Sequence, residues 1–446
     1  MTAPLLEIAE SVPHDTAAGF GVAGGAATRL LAGPPASAGA ERYAAHLDRL
    51  GPAGHLGREP VELRSAVRAS GLLGRGGGEF PLARKLDLAA ASPGAPVVVV
   101  NASEGEPASR KDATLISLRP HVVLDGAEAV AAAIGAEEIL VYLHRERAGV
   151  CGALVRALEE RRRAGAAASI RLVDGPDRYV AGEASAVVRF LSGGPAAPRR
   201  TELPPAAAGV GGRPTVVSNA ETFAHAGLVV RFGARWFAQA GTDGCPGSTL
   251  LTLAGDVSAP GTVVEVVSPT TFGQVLHEAG GLAVPPRALL LGGYAGSWVD
   301  AAAAWSAPVD RHALGLAGLR LGCGLVAALG DDRCGIAETA RIVAWLAGES
   351  AGQCGPCALG LPAMATLMGT VADGRARRAD VRELRRLAAS VRGRGACGHP
   401  TGAAEIVESA LDTFADELRL HVRGRACRAT GAGLPLPATP VDRSRR

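Results

Sequence analysis

The sequence predicts an α/β domain with a doubly wound, largely parallel sheet, followed by a small α+β module and a C-terminal four-helix bundle. Three observations carry this reading. Val97-Val98-Val99-Val100 is a fully apolar, β-branched run, the mark of a strand buried on both faces of a parallel sheet. Strand-like and helix-like stretches alternate around it, which is the pattern of βαβ units. Beyond residue 335, apolar residues recur at helical spacing only, as helices packed on one another require.

Taken in order, residues 1–58 are rich in Gly, Ala and Pro with weak periodicity, and read as an irregular N-terminal extension. The α/β domain spans 59–244. It opens with a short helix over 61–70 and the glycine run Gly71-Leu72-Leu73-Gly74-Arg75-Gly76-Gly77-Gly78. After the valine strand come a helix over 122–134, a strand over 139–143, a helix over 150–163 and a strand over 170–173. The texture changes at Gly247. Two strands (249–253 and 263–267) flank a Pro-Gly turn, a short helix over 271–279 ends at Gly280-Gly281, and a strand returns at 288–291. That order predicts a compact α+β module over 245–320. Three helical faces follow: Ile336, Ala340, Val343 and Ala347; Val381, Leu384, Ala388 and Val391; Ile406, Ala410, Phe414 and Leu418. A further helix after Cys357, where Pro362 fits only near the first turn, completes a bundle over 335–421. The tail 422–446 carries six arginines against one aspartate and is rich in Gly and Pro, a composition that predicts disorder.

Composition excludes several functions. Net charge is +3, and since the tail carries more than that, the folded part is nearly neutral. Aromatics make up 4%, too few for the stacking platforms of nucleic-acid binders. The first twenty residues lack a basic start followed by an apolar run, and no stretch offers the roughly 18 apolar residues of a membrane span. Eight cysteines in 446 residues are too sparse for a disulfide framework, which points to a reducing cytoplasm.

The chemistry concentrates in three places. Cys354-Gly355-Pro356-Cys357, with Cys397 forty residues on, can offer two thiolates from one turn and a third from a distant helix. A cluster, a zinc ion and two merely buried cysteines all fit this spacing. Cys334 begins the helix that ends near Gly348, which holds it roughly 20 Å from Cys354. His399 is the nearer substitute ligand. The glycine loop Gly74 to Pro81 precedes its strand instead of following it, unlike an ordinary dinucleotide fingerprint. Its backbone can still approach a flat ring or a phosphate closely, with Lys85 at hand for the phosphate; a flexible surface loop has the same composition. The turn Asn101-Ala102-Ser103-Glu104-Gly105-Glu106-Pro107 lies just past the valine strand, where a doubly wound sheet has its ligand crevice. A solvated acidic turn is the plainer meaning.

In this order the pieces resemble the family of NADH-binding, FMN-carrying (51 kDa-type, F) subunits of complex I, with relatives in NAD-linked hydrogenases and formate dehydrogenases. The family pattern G-L-x-G-R-G-G-A-G-F-P-x-G-x-K is met by Gly71 to Lys85, and N-A-D-E-x-E-P-G-x-x-K-D by Asn101 to Asp112. Y-x-x-G-E-E-T-A is met by Tyr179 to Ala186, N-N-x-E-T by Ser218 to Thr222, and E-S-C-G-x-C-x-P-C by Glu349 to Cys357, with Cys397 as the later Cys. The similarity spans 60–421. It implies a Rossmann-like FMN/NADH-binding domain, a β-grasp module of the soluble-ligand-binding (SLBB) type, and an iron–sulfur bundle. By resemblance, Gly74, Arg75, Gly76, Gly77, Gly78, Lys85, Asn101, Glu104, Gly182, Glu183, Asn219 and Thr222 would hold FMN. Phe80, Glu106 and Lys111 would lie near the nicotinamide nucleotide, and Cys354, Cys357 and Cys397 would hold the cluster. No catalytic acid, base or nucleophile is implied, since hydride transfer needs positioning above all.

The departures bear on function. Ala351 replaces the first cluster cysteine, so the resemblance implies a [4Fe–4S] cluster on three thiolates with water or His399 on the fourth iron, or a [3Fe–4S] cluster. Ala184 replaces the second Glu of G-E-E, Ser103 the turn Asp, Ser218 an Asn, Glu79 the glycine before Phe80, and Arg110 a common aromatic. The expected function is that of an NADH dehydrogenase-type component passing electrons from NADH through FMN and the cluster to a ferredoxin or another iron–sulfur or reductase partner, peripheral to any membrane complex. A second reading is a non-catalytic relay and docking protein that has lost NADH binding. A third is a zinc-binding structural protein.

Overall fold

The computed structural model describes residues 22–23, 28–144, 147–166, 169–425, 427 and 434. Residues 1–21 and 24–27 of the expected extension, and residues 426, 428–433 and 435–446 of the basic tail, lie outside the described residues.

Four strands form one wholly parallel sheet: β1 Val97–Asn101, β2 Glu138–Leu143, β3 Ile170–Asp174 and β4 Thr215–Asn219. Their order across the sheet is β3-β2-β1-β4. Side chains of a strand alternate between faces. Accordingly Val98 and Val100 enter the core beneath the helices Pro60–Ser70, Pro120–Ile134 and Ala220–Phe232, while Val97 and Val99 pack on the other side with Val187 and Val210. Both faces are covered, which is why the run is apolar without alternation. The helices Pro120–Ile134 and Ala220–Phe232 cross so closely that a Cβ on Gly126 would lie 1.7 Å from the carbonyl oxygen of Phe223.

The strand order reverses between β1 and β4. At such a switch point the loops leaving the two strands diverge and open a crevice at their C-terminal ends. Asn101 and Asn219, the last residues of the two strands, stand opposite each other in register there.

A second, mixed sheet holds β5 Ser248–Gly255, β6 Val263–Val267, β7 Pro286–Leu291, β8 Ser297–Asp300 and β9 Leu325–Gly330. Their order is β6-β5-β9-β7-β8, with Val22–Ala23 added in parallel outside β6. β9 falls in the gap between the expected module and the expected bundle, yet it lies at the centre of this sheet, parallel to β5 and antiparallel to β7. The expected helix at 271–279 is Phe272–Glu278, entered through a capping box of Thr271 and Gln274.

The helical part contains Gly335–Gly348, Leu361–Ala372, Arg378–Val391, His399–Thr413 and Ala415–Val422. The single face expected over Ile406 to Leu418 is broken at Phe414 (φ −104°, ψ 34°). There the chain turns to bury that ring against Trp298, 5.3 Å away. Among the described residues no helix is long and apolar enough to cross a membrane.

Residues 28–58 are not irregular throughout, contrary to the expectation from their weak periodicity. Tyr43–Leu50 is a helix, and buried polar contacts hold the segment down. Glu265 of β6 accepts the N–H groups of Arg29, Leu30 and Leu31 at 2.9–3.0 Å. His46 bonds Asp125 at 3.0 Å, and Arg161 and Arg231 donate to the same carboxylate. Polar anchoring leaves no apolar period, so sequence periodicity misses it. Asp125→Asn should destabilise the fold by about 3–5 kcal/mol, because it strands buried cations; an unchanged urea midpoint would count against this network.

Candidate functional site

The switch-point crevice is a cleft of about 600 Å³. Of the residues singled out in the sequence, Gly74, Gly76, Gly77, Gly78, Phe80, Lys85, Asn101, Glu104, Glu106, Lys111, Gly182, Glu183, Asn219 and Cys397 line it. Arg75, Thr222, Cys354 and Cys357 are not among its lining residues.

The glycine loop is closed at its base, where Gly74 N–H donates to the Phe80 carbonyl at 2.9 Å and Leu82 N–H to that of Leu72 at 3.0 Å. An added Cβ on Gly76, Gly77 or Gly78 would meet no atom of the chain within 4 Å, and none of the three has a positive φ. Neither backbone conformation nor internal packing therefore demands glycine at three consecutive positions. A flat ligand lying against the loop would. Arg75, behind the loop, donates its N–H to Thr222 Oγ1 at 2.8 Å, and Thr222 in turn donates to Asn219 Oδ1.

Glu79, where the resemblance has glycine, adopts φ 46°. Its carboxylate is held by the buried guanidinium of Arg311, which also donates to Thr249 at 3.1 Å. The other non-glycine residue with positive φ among the described residues is Glu104 (φ 28°). Such backbone costs roughly 1–3 kcal/mol and persists where surroundings over-determine it. Glu104 is fixed in that way: it accepts the N–H groups of Asp112 and Ala113 at 3.2 and 2.9 Å and the Ser109 hydroxyl at 2.6 Å. It thus caps the helix Lys111–Leu118.

Lys111 points its ammonium at Asp112 (3.0 Å) and Glu221 (2.9 Å), and these buried carboxylates hold its pKa above the usual lysine value against the pull of burial. Asp112 accepts from the Asn219 amide at 3.1 Å and from Glu221 N–H at 3.0 Å. Lys85 is different. Burial lowers its pKa to about 8, and it donates to the Val217 carbonyl (2.7 Å) and Ser218 hydroxyl (3.2 Å). Ser103 donates to Asn101 Oδ1 at 2.7 Å, and the Asn101 amide donates to the Gly182 carbonyl at 2.7 Å. Glu183 caps the helix Ala184–Leu191 through the N–H groups of Ser185 and Ala186.

Glu106 is buried, and burial raises its pKa to about 8, reinforced by Glu104 and opposed by the Tyr294 N–H. At neutral pH it is mostly protonated.

Of the three thiols, Cys397 reaches the cleft. Burial raises the pKa of Cys357 to about 12, together with Cys354 and Cys397. Burial pulls Cys354 upward too, but N–H groups of Ala396 and Cys357 donate to its sulfur and hold it below the ordinary thiol value. An anion is stabilised there, as a thiolate ligand requires. Tyr179 connects this region to the cleft. Its ring packs on Trp345 and His399 at 5.1 and 5.4 Å, and its N–H donates to Glu349 at 2.9 Å. His399 Nε2 bonds the Leu346 carbonyl at 2.8 Å, leaving its buried Nδ1 without a hydrogen-bond partner among the described residues.

Sequence reasoning assigned no role to Glu221, Arg311, Cys323 or Arg320, the last two of which also line the cleft. Glu221 had a usable signal: it lies two residues past the end of β4, at the switch point. Arg311 had none, because its partner is 232 positions away.

The Glu106 proton gives a test. In the unfolded chain this group ionises near 4.5, so between that pH and about 8 the folded state holds a proton that the unfolded state has lost. Stability therefore falls as pH rises across this window, by up to about 1.4 kcal/mol per pH unit. Glu106→Gln should remove that part of the slope in paired denaturation curves; parallel slopes would refute the buried, protonated state.

Comparison with known proteins agrees with the geometry. Residues 67–227 match the Nuo51 FMN-binding domain, and residues 337–421 match the NADH-ubiquinone oxidoreductase-F iron-sulfur binding region. The NADH-quinone oxidoreductase F subunit of Streptomyces coelicolor is 31% identical over 83% of this chain and 85% of its own length. An NADH-quinone oxidoreductase F subunit of Rhizobium meliloti, the one numbered 2, is 30% identical over 82% and 90%. In the crystal structure of an NAD+-reducing [NiFe]-hydrogenase in the H2-reduced state, one chain superposes with a TM-score of 0.76 at 28% identity. That match covers 83% of this chain but only 63% of the hydrogenase chain. The chain belongs to the family of NADH-quinone oxidoreductase F subunits.

Proposed function

We propose that this protein is an NADH-linked electron-transfer subunit, an NADH:acceptor oxidoreductase that binds FMN and NADH in the switch-point cleft and an iron–sulfur cluster at Cys354, Cys357 and Cys397. The observation that carries the reading is the trio Gly76, Gly77 and Gly78, whose missing side chains leave open space the fold itself does not use. Bound FMN would accept a hydride from a nicotinamide and release single electrons to a cluster.

The chain's own residues divide the work. Glycine backbone leaves room for a ring, and the Lys85 ammonium stands ready for an anionic group. Asn101 and Asn219 flank the crevice from the two strand ends. Glu104 and Glu183 act first as caps that fix the loops carrying Glu106 and Gly182. Lys111 is spent on Asp112 and Glu221, so its part is to set the cleft floor. Phe80, 48% exposed at the mouth, and protonated Glu106 are the groups left to meet a nicotinamide.

For the cluster, three thiols fit and Ala351 takes the place of a fourth. The unpartnered Nδ1 of His399 or a water would complete the set. With one thiolate fewer, the site carries less negative charge and its potential rises. The domain division that goes with this reading is an FMN/NADH-binding unit over 59–244, an SLBB-like β-grasp unit from 245 to 320 and on through β9, and an iron–sulfur bundle over 335–421. Partners are other subunits of a complex, with a ferredoxin or an iron–sulfur reductase protein as electron acceptor, in the cytoplasm.

Anaerobically purified protein should show flavin and iron–sulfur absorption, with the flavin band bleached on adding NADH. Iron–sulfur absorption with no flavin bleaching would overturn NADH oxidation and leave a relay and docking protein. A colourless protein would overturn both.

A further inference from the structure

Outside the cleft, three metal-binding side chains from separate segments meet at the other end of the helical region. Cys334 caps the helix Gly335–Gly348 from before its first turn. His421 is near the end of the last helix, Ala415–Val422, and Cys427 follows it. The two sulfurs and one imidazole nitrogen all lie within 4.8 Å of one another, and Cys334 and His421 are buried. Cys334 Sγ is 3.2 Å from His421 Nε2.

We propose that Cys334, His421 and Cys427 bind one zinc ion, distinct from the iron–sulfur site, which fastens the segment after the last helix to the rest of the fold. The donor set is right for zinc: two thiols and an imidazole are ligands that zinc takes in tetrahedral sites. Arms of about 2.3 Å to sulfur and 2.0 Å to nitrogen at a tetrahedral angle place those two atoms roughly 3.5 Å apart, close to the separation seen. A water would complete the four-coordinate set, because among the described residues only Cys334, His421 and Cys427 place donor atoms within 4.8 Å of one another, and Glu417 stands beside Cys334 as an outer partner. One of its carboxylate oxygens lies 3.6 Å from Cys334 Sγ, and that carboxylate is already oriented by the N–H groups of Gly335 and Ile336 and by Arg287. Outer contacts of this kind fix a ligand in place before the metal arrives.

The site is separate from the other cysteines. The fourteen-residue helix Gly335–Gly348 sets Cys334 roughly 20 Å from its far end, where the Cys354 loop begins. The plainer alternative is a hydrogen-bonded trio of neutral side chains. It gives no reason for two cysteines and a histidine to converge from three points of the chain, whereas metal binding requires that convergence and contributes folding energy through it. Zinc and iron are then both expected in one chain, so zinc in a metal analysis says nothing against the cluster.

The test is metal analysis of the full-length protein after anaerobic purification. One zinc per chain is expected beside the iron. Cys427→Ser and His421→Ala should each lower zinc retention at least about tenfold, with iron and flavin content unchanged. Zinc-edge X-ray absorption on the unaltered protein reads the same site without any substitution, and should show two sulfur ligands. Absence of zinc even after incubation with the metal alone, zinc retained in Cys427→Ser, or a shell of nitrogen and oxygen only would each overturn the proposal.

Discussion

One buried ammonium organises this protein. Lys111 lies between Asp112 and Glu221, and each carboxylate passes the constraint on. Asp112 orients Asn219 at the end of β4; Asn219 accepts from Thr222; Thr222 accepts the backbone N–H of Arg75 in the glycine loop. Glu221 reaches the other way, accepting Leu250 N–H of β5 at 2.9 Å. A single cation thus ties the parallel sheet, the glycine loop and the second sheet together. Removing one partner of such a buried set strands the others, which costs far more than the set contributes as a whole. Lys111 lines the cleft, so this knot forms part of its floor.

The substitutions relative to the family pattern become intelligible against it. Glu79 does not simply intrude. Its carboxylate is taken up by Arg311, a buried guanidinium that would otherwise need another anion. Ser103, in place of Asp, keeps a hydrogen bond to Asn101, so the asparagine remains oriented without a further charge beside Glu104 and Glu106. Ala351 has no such compensation among the described residues, and would leave the proposed cluster site with three thiols.

Much of this was legible in the sequence, for reasons that differ by element. The valine strand and the helix at 120–134 were readable because burial on every side leaves an unmistakable apolar run. The glycine loop, the acidic turn and the Cys-x-x-Cys were readable because chemistry there is local in sequence. β9 (Leu325–Gly330) was not, since alanines and a glycine give weak strand preference, although it lies at the middle of its sheet. The N-terminal helix Tyr43–Leu50 was not, because polar contacts through His46 fasten it. Arg311 with Glu79, and Cys334 with Cys427, are long-range pairs with no local trace. The break at Phe414 turns on one ring's packing against Trp298.

The proposed flavin site depends on a glycine-lined cleft that keeps room for a flavin ring while Arg311 holds Glu79. Titrating flavin-stripped protein with FMN and following the quenching of flavin fluorescence tests this most directly. Saturation at one FMN per chain is the expected result. A linear rise in fluorescence with no break, in protein shown to be folded, would contradict it.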